Sequence, residues 1–233
     1  MSKIRNHFGQ RGSNVFRIEA LSDGVFAISV TLLIMSLEVP KTYQELKNIM
    51  WQFLPFSITV SVIFLIWWQQ NNFFRSYGLA DSKIKLLNLL LLVVVLFYVF
   101  PLKFLFSILF YAITGLGNQN LHEGETVYSI SQQDFPGLIV FFSVGYFLVW
   151  LIFFMLYGHI GRKNKHLKLS NLEKIILQSD KRDALFQMSV GLLASFAASL
   201  NWIMICQIIF LTIPMWLIIN WLFTRKLKSK LKM

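Results

Sequence analysis

The side chains of this chain that could do chemistry gather at the mouth of its first apolar run. The segment Arg17-Ile-Glu-Ala-Leu-Ser-Asp-Gly-Val-Phe-Ala-Ile-Ser-Val-Thr-Leu-Leu places Arg17, Glu19 and Asp23 within seven residues. A carboxylate is costly at membrane depth, so Asp23 needs a partner or water. Two readings fit. Ser22 or Asp23 caps a helix that begins there, with the stretch before it unwound. Alternatively, Asp23 is paired or wet inside the run, with Arg17 six residues earlier able to approach it but not to stack directly. Beyond Asp23, Gly24, Ala27 and Thr31 are small or polar at helical spacing. Such residues let helices approach closely in lipid. Ile28, Thr31, Leu32 and Met35 form an adjoining stripe. Ordinary helix packing and a functional face are both consistent with that stripe.

Elsewhere the sequence offers no catalytic constellation. His7, His122, His159 and His166 lie outside the apolar runs, without a metal-ligand partner at helical spacing. Cys206 lies inside an apolar run and reads as a small packed hydrophobe. No phosphate loop, GxSxG elbow, HExxH or dinucleotide turn occurs. Intramembrane proteolysis needs two carboxylates inside the bilayer, and a proton relay needs a chain of them. The expectation is a protein that is not an enzyme, with no cofactor and no resident metal.

These groups must be positioned by membrane helices. Of the 233 residues, 56% are hydrophobic, 16% aromatic and 14% charged, with a mean hydropathy of +0.59. Soluble domains carry about a quarter charged residues. Six apolar runs follow one another: Phe16–Val39, Phe53–Trp68, Leu86–Ile113, Phe135–Tyr157, Leu185–Leu200 and Trp202–Phe223. A span needs about 20 residues. The last two runs together are too long for one span, which predicts a hairpin at Asn201. The fold class is therefore an all-α membrane protein with six transmembrane helices in one domain, 1–233. No alternating strands suggest a barrel, and no cleaved signal peptide is expected.

Charge sets the orientation. All but three of the 22 basic residues lie before run one or in its first residues, between runs two and three, between four and five, or in the tail. The exceptions are Lys41, Lys47 and Lys103. The positive-inside rule then puts both termini in the cytosol, as an even number of spans requires. The net charge of +11 reads as leaflet asymmetry, and no nucleic-acid partner is expected. The link Tyr111–Asp134 reads as a polar outside loop. The link Gly158–Asp183 reads as an inside loop with a short helix around Leu172–Leu177 and solvated charges after Glu173.

On these residues the chain resembles the transmembrane protein 175 family of potassium channels, lysosomal and endosomal in animals, in its shorter prokaryotic form. Arg17-x-x-x-Leu21-Ser22-Asp23 is similar to the family's first-helix signature, Arg-x-x-x-Phe-Ser-Asp. Trp67-x-x-Gln70-Asn71 falls where the family often has Trp-x-x-His-His. Asp81, then Leu87-Asn88 and Pro101, are similar to its third helix. Leu21 keeps an apolar role, whereas Gln70 keeps a hydrogen bond but removes a titratable group.

The resemblance implies a homotetramer of six-helix subunits in the cell membrane, with first helices lining a central pore for potassium ions. Self-association, membrane lipid and transient K+ would be its partners. It implies no carbonyl filter, and no Thr-Val-Gly-Tyr-Gly occurs here. By position, Ile28 would form the inner constriction, Thr31 a hydroxyl ring, and Leu32 and Met35 the rest of the narrow pore. An isoleucine ring would gate by dewetting. The hydroxyls would replace part of the shell of potassium, which dehydrates more readily than sodium, giving moderate selectivity. Arg17, Ser22 and Asp23 would hold the pore helix, through Gln70 or Asn71. Glu38 and Glu45 could enrich cations at the outer end, although a solvated loop charge is the plainer reading of Glu45. The alternative is a secondary transporter of a small cation or solute. It needs interrupted helices in matching halves, for which Pro101 and Pro214 are the best evidence.

Overall fold

The computed structural model describes residues 15–35, 39–114, 134–163, 167 and 169–231. Among the described residues six helices follow in order: α1 Arg17–Met35, α2 Tyr43–Tyr77, α3 Ser82–Thr114, α4 Phe135–Arg162, α5 Asn171–Ser199 and α6 Ile203–Leu231. Among the described residues there is no strand. Five helices are long and apolar enough to cross a membrane: α1 to α4, and α6 over Ile203–Asn220. Helix α5 has a charged first half, and its apolar part starts only at Leu185. The protein is an all-helical membrane protein, as expected.

Local chemistry fixes the helix ends. Thr42 and Glu45 form a reciprocal capping box at the start of α2, and Ser170 and Glu173 do the same for α5. Glu45 accepts from the Lys41 N–H at 2.6 Å, so its carboxylate is an exposed cap. Helix α2 stops at Gly78, whose φ of 55° is left-handed and whose N–H reaches Phe74 O at 2.9 Å. The hairpin expected at Asn201 is present. Asn201 has φ 60°, and Trp202 N–H closes onto Ala197 O at 3.0 Å. Asn is among the few residues besides Gly that visit this region readily.

Several expectations are corrected. The short helix around Leu172–Leu177 is the first part of α5, continuous with the apolar run. The charges after Glu173 are not all solvated. Glu173 itself is 2% exposed, and Asp183 accepts from Trp216 Nε1 at 3.1 Å. His159 belongs to the last turn of α4. Helices α3 and α6 run unbroken through Pro101 and Pro214, so neither proline interrupts a helix. Most of the polar link Tyr111–Asp134, together with Glu38, His7, His122 and His166, lies outside the described residues.

Packing is closest between α4 and α5. Gly191 of α5 makes that possible, because a Cβ there would meet Phe147 N of α4 at 2.8 Å. Gly145 of α4 faces the Tyr98 ring of α3 in the same way, and a Cβ there would run into that ring. Helix α1 rests on α2 and α3 and has no comparable packing on α4 to α6. An aromatic cluster of Phe73, Tyr77 and Tyr157 joins α2 to α4, with Phe73 and Tyr157 centroids 5.6 Å apart.

Candidate pore helix and its anchors

Helix α1 has two faces of different character. Glu19, Ser22, Phe26, Ser29 and Leu33 recur at three- and four-residue steps and are buried. The opposite face carries Asp23, Gly24, Ala27, Ile28, Thr31 and Met35, all exposed. Ile28 is 55% exposed and Met35 74%, while Leu32 is half-buried at the edge of that face. The stripe singled out in the sequence is therefore not covered by the chain's own helices.

The buried face is bolted by polar side chains. Asn88 Nδ2 of α3 donates to Ser22 Oγ at 2.8 Å, and Gln70 Nε2 of α2 donates to Asn88 Oδ1 at 2.5 Å. Ser22 Oγ itself donates to Ile18 O at 2.7 Å. The three side chains are at most 2% exposed, so the chain Gln70–Asn88–Ser22–Ile18 is dry. Each bond polarises the next. On the rim, Asp23 Oδ1 accepts from Trp67 Nε1 at 2.7 Å. Glu19 faces Arg75 of α2, with Oε2 3.6 Å from Nη2.

The helix begins at Arg17, so Ser22 and Asp23 are interior residues and do not cap it. Gln70 and Ser22 are brought together, but through Asn88, whose role as hub the sequence reading did not assign. Its signal was an amide inside a run of leucines, where an unpaired polar group is expensive. Arg17 is exposed, and Asn71 accepts from Arg75 on its own helix at 3.4 Å. Among the described residues neither joins the network. Arg75 ties Glu19 to α2 instead.

Thr31 Oγ1 donates to Ala27 O at 2.9 Å. This is the intrahelical bond common for Thr in membrane helices. The hydroxyl proton is thereby spent on the backbone, while the oxygen keeps lone pairs on an exposed face.

A second polar cluster sits where α2 passes into α3. Asp81 caps α3 by accepting the Ile84 N–H at 3.0 Å. Its Oδ2 meets His159 Nε2 at 2.7 Å and Lys163 Nζ at 2.6 Å, both from the end of α4. Desolvation opposes ionisation of Asp81, but the bonds from Lys163, His159 and the Ile84 amide outweigh it. They hold the carboxyl well below the usual range.

Comparison with known proteins agrees with this architecture. The family model for the endosomal/lysosomal potassium channel TMEM175 matches residues 17–98, which hold the whole Ser22–Asn88–Gln70 network. A potassium channel of Marivirga tractuosa is 36% identical over 195 residues, covering 82% of this chain and 77% of that one. A potassium channel of Chamaesiphon minutus is 33% identical over 97 residues, covering 38% and 48%. Among solved structures, a threonine-to-alanine variant of the potassium channel MtTMEM175, bound to a nanobody–MBP fusion, superposes with a TM-score of 0.80. It is 32% identical, covering 95% of this chain and 97% of that one. A TMEM175 homologue from Chamaesiphon minutus shares the fold, with a TM-score of 0.58 at 20% identity and coverage of 88% and 96%. By sequence and by fold, this chain belongs to the TMEM175 family of potassium channels.

Proposed function

We propose that four copies of this chain surround a pore lined by α1, and that potassium ions pass along its exposed face. The observation that carries this reading is the asymmetry of α1. One face is fixed by Ser22, Asn88 and Gln70, while Ile28, Thr31 and Met35 stand clear of the chain's own helices. A helix held rigidly on one side can present the other to an axis. Four Ile28 side chains would close the pore by excluding water. Thr31, one turn outward, would supply oxygens that replace part of the shell of a dehydrating ion. Leu32 and Met35 would keep the passage narrow. No carbonyl filter takes part, so selectivity for potassium over sodium is moderate. The basic links and tail face the cytosol, and the chain resides in the cell membrane.

The test is Ile28→Asn in purified protein reconstituted into liposomes. A wetted constriction should raise potassium flux several-fold and admit more sodium. Unchanged potassium and sodium fluxes remove Ile28 from the constriction. Exchange that saturates at low cation concentration in the parent protein favours a carrier.

A further inference from the structure

We propose that a cavity between α3, α4 and α5 is a binding site for an anionic phospholipid. The cavity holds about 570 Å³. Lys83 from the first turn of α3, Arg162 from the end of α4 and Lys181 from α5 stand around it. Its walls are apolar, with Leu86, Phe154 and Met155 among them. Leu86 is 59% exposed and Met155 46%, so this apolar wall opens outward from the helices.

Charge complementarity identifies the occupant. None of the three cations is in an ion pair among the described residues. Lys181 Nζ lies 5.3 Å from the Phe154 ring centroid, a cation–π contact that leaves its charge uncancelled. The carboxylate of Asp81, which could have neutralised the cluster, is held by His159 and Lys163. Three uncompensated cations over an apolar trough suit a phosphate attached to acyl chains. A free phosphate would satisfy the cations but leave the trough empty. The position also fits. The α2–α3 link, the end of α4 and the charged half of α5 share one end of the helix bundle, the end rich in Lys and Arg. Basic pockets between membrane helices on such a face are the usual seats of anionic headgroups.

Bound there, a lipid would clamp the start of α3 to α4. Asn88 lies five residues beyond Lys83 on α3, so the clamp bears on the helix that holds α1.

The experiment is native mass spectrometry of the full chain in mild detergent, with phosphatidylglycerol or phosphatidylcholine of identical acyl chains added. The parent should retain phosphatidylglycerol about tenfold better, as a few basic contacts near a membrane surface provide. The triple variant Lys83→Gln, Arg162→Gln, Lys181→Gln should lose that preference. Lys85→Gln with Lys174→Gln, at the same end but outside the cavity, should keep it. Met155→Trp fills the trough without touching a charge and should also lower retention, which decides the matter if the triple variant folds poorly. Equal retention of both lipids by the parent, or full preference in the triple and Met155→Trp variants, overturns the proposal. So does displacement of phosphatidylglycerol by millimolar inorganic phosphate, which would make this a free-anion site.

Discussion

Asn88 Nδ2 lies 2.8 Å from Ser22 Oγ, and this one bond joins α3 to the helix with the exposed stripe. It connects residues 66 positions apart. Both side chains are fully buried, so no water can substitute for either partner. Asn88→Leu should leave Gln70 and the Ser22 lone pairs unsatisfied, at a cost of about 1–3 kcal/mol. Ser22→Ala should cost less, because Asn88 keeps its bond from Gln70. The thermal midpoint read by size-exclusion chromatography should therefore fall further for Asn88→Leu. Equal midpoints for parent and Asn88→Leu would show that the network bears no load.

Asp23 and Trp67 form the rim counterpart of that bolt. Asp23→Ala and Trp67→Phe each remove the 2.7 Å bond between α1 and α2. Their effects on assembly should overlap, with a coupling near the ~0.6 kcal/mol typical of polar ties between membrane helices. Oligomer yield across the double-mutant cycle measures this. A variant Asp23→Ala that assembles normally but conducts a different set of ions would place the carboxylate in the ion path instead.

Thr31 tests whether an internally bonded hydroxyl still serves an ion. Its proton goes to Ala27 O, so only the oxygen lone pairs are available. Thr31→Val keeps the shape and deletes the oxygen. The reversal potential under mixed potassium and sodium should shift toward equal permeability while assembly persists. A potential indistinguishable from the parent would leave Thr31 with its backbone bond alone.

Asp81 makes stability depend on pH. Its folded pKa lies below the unfolded value of about 3.9. The stabilisation is therefore complete above the ordinary carboxylate range. It is lost as pH falls below that range toward the folded pKa. Asp81→Asn should melt several degrees lower than the parent at pH 7, and the gap should narrow as the pH is taken below 4. A gap that stays constant down to pH 3 would show that the charge of Asp81 does not carry the loss.

The sequence by itself determined the class of the molecule. Long apolar runs have one low-energy fate in lipid, because every backbone group must be satisfied within its own segment. The split at Asn201 followed from length alone, since no single helix of that size fits a bilayer. The α1 signature was legible because polar residues inside apolar runs are rare enough to stand out. The partners of those residues were not legible. Ser22 meets Gln70 only through Asn88, and Glu19 meets Arg75, because α2 and α3 pack on one particular side of α1. Hydrogen bonds reach about 3 Å, whereas helical spacing says only which residues share a face. It does not say which neighbour that face meets. The same limit hid the pairing of Asp81 with His159 and Lys163, which are 78 and 82 residues away. Which face of α1 stays open was likewise decided by tertiary packing. Burial of Phe26, Ser29 and Leu33 turns Ile28, Thr31 and Met35 outward.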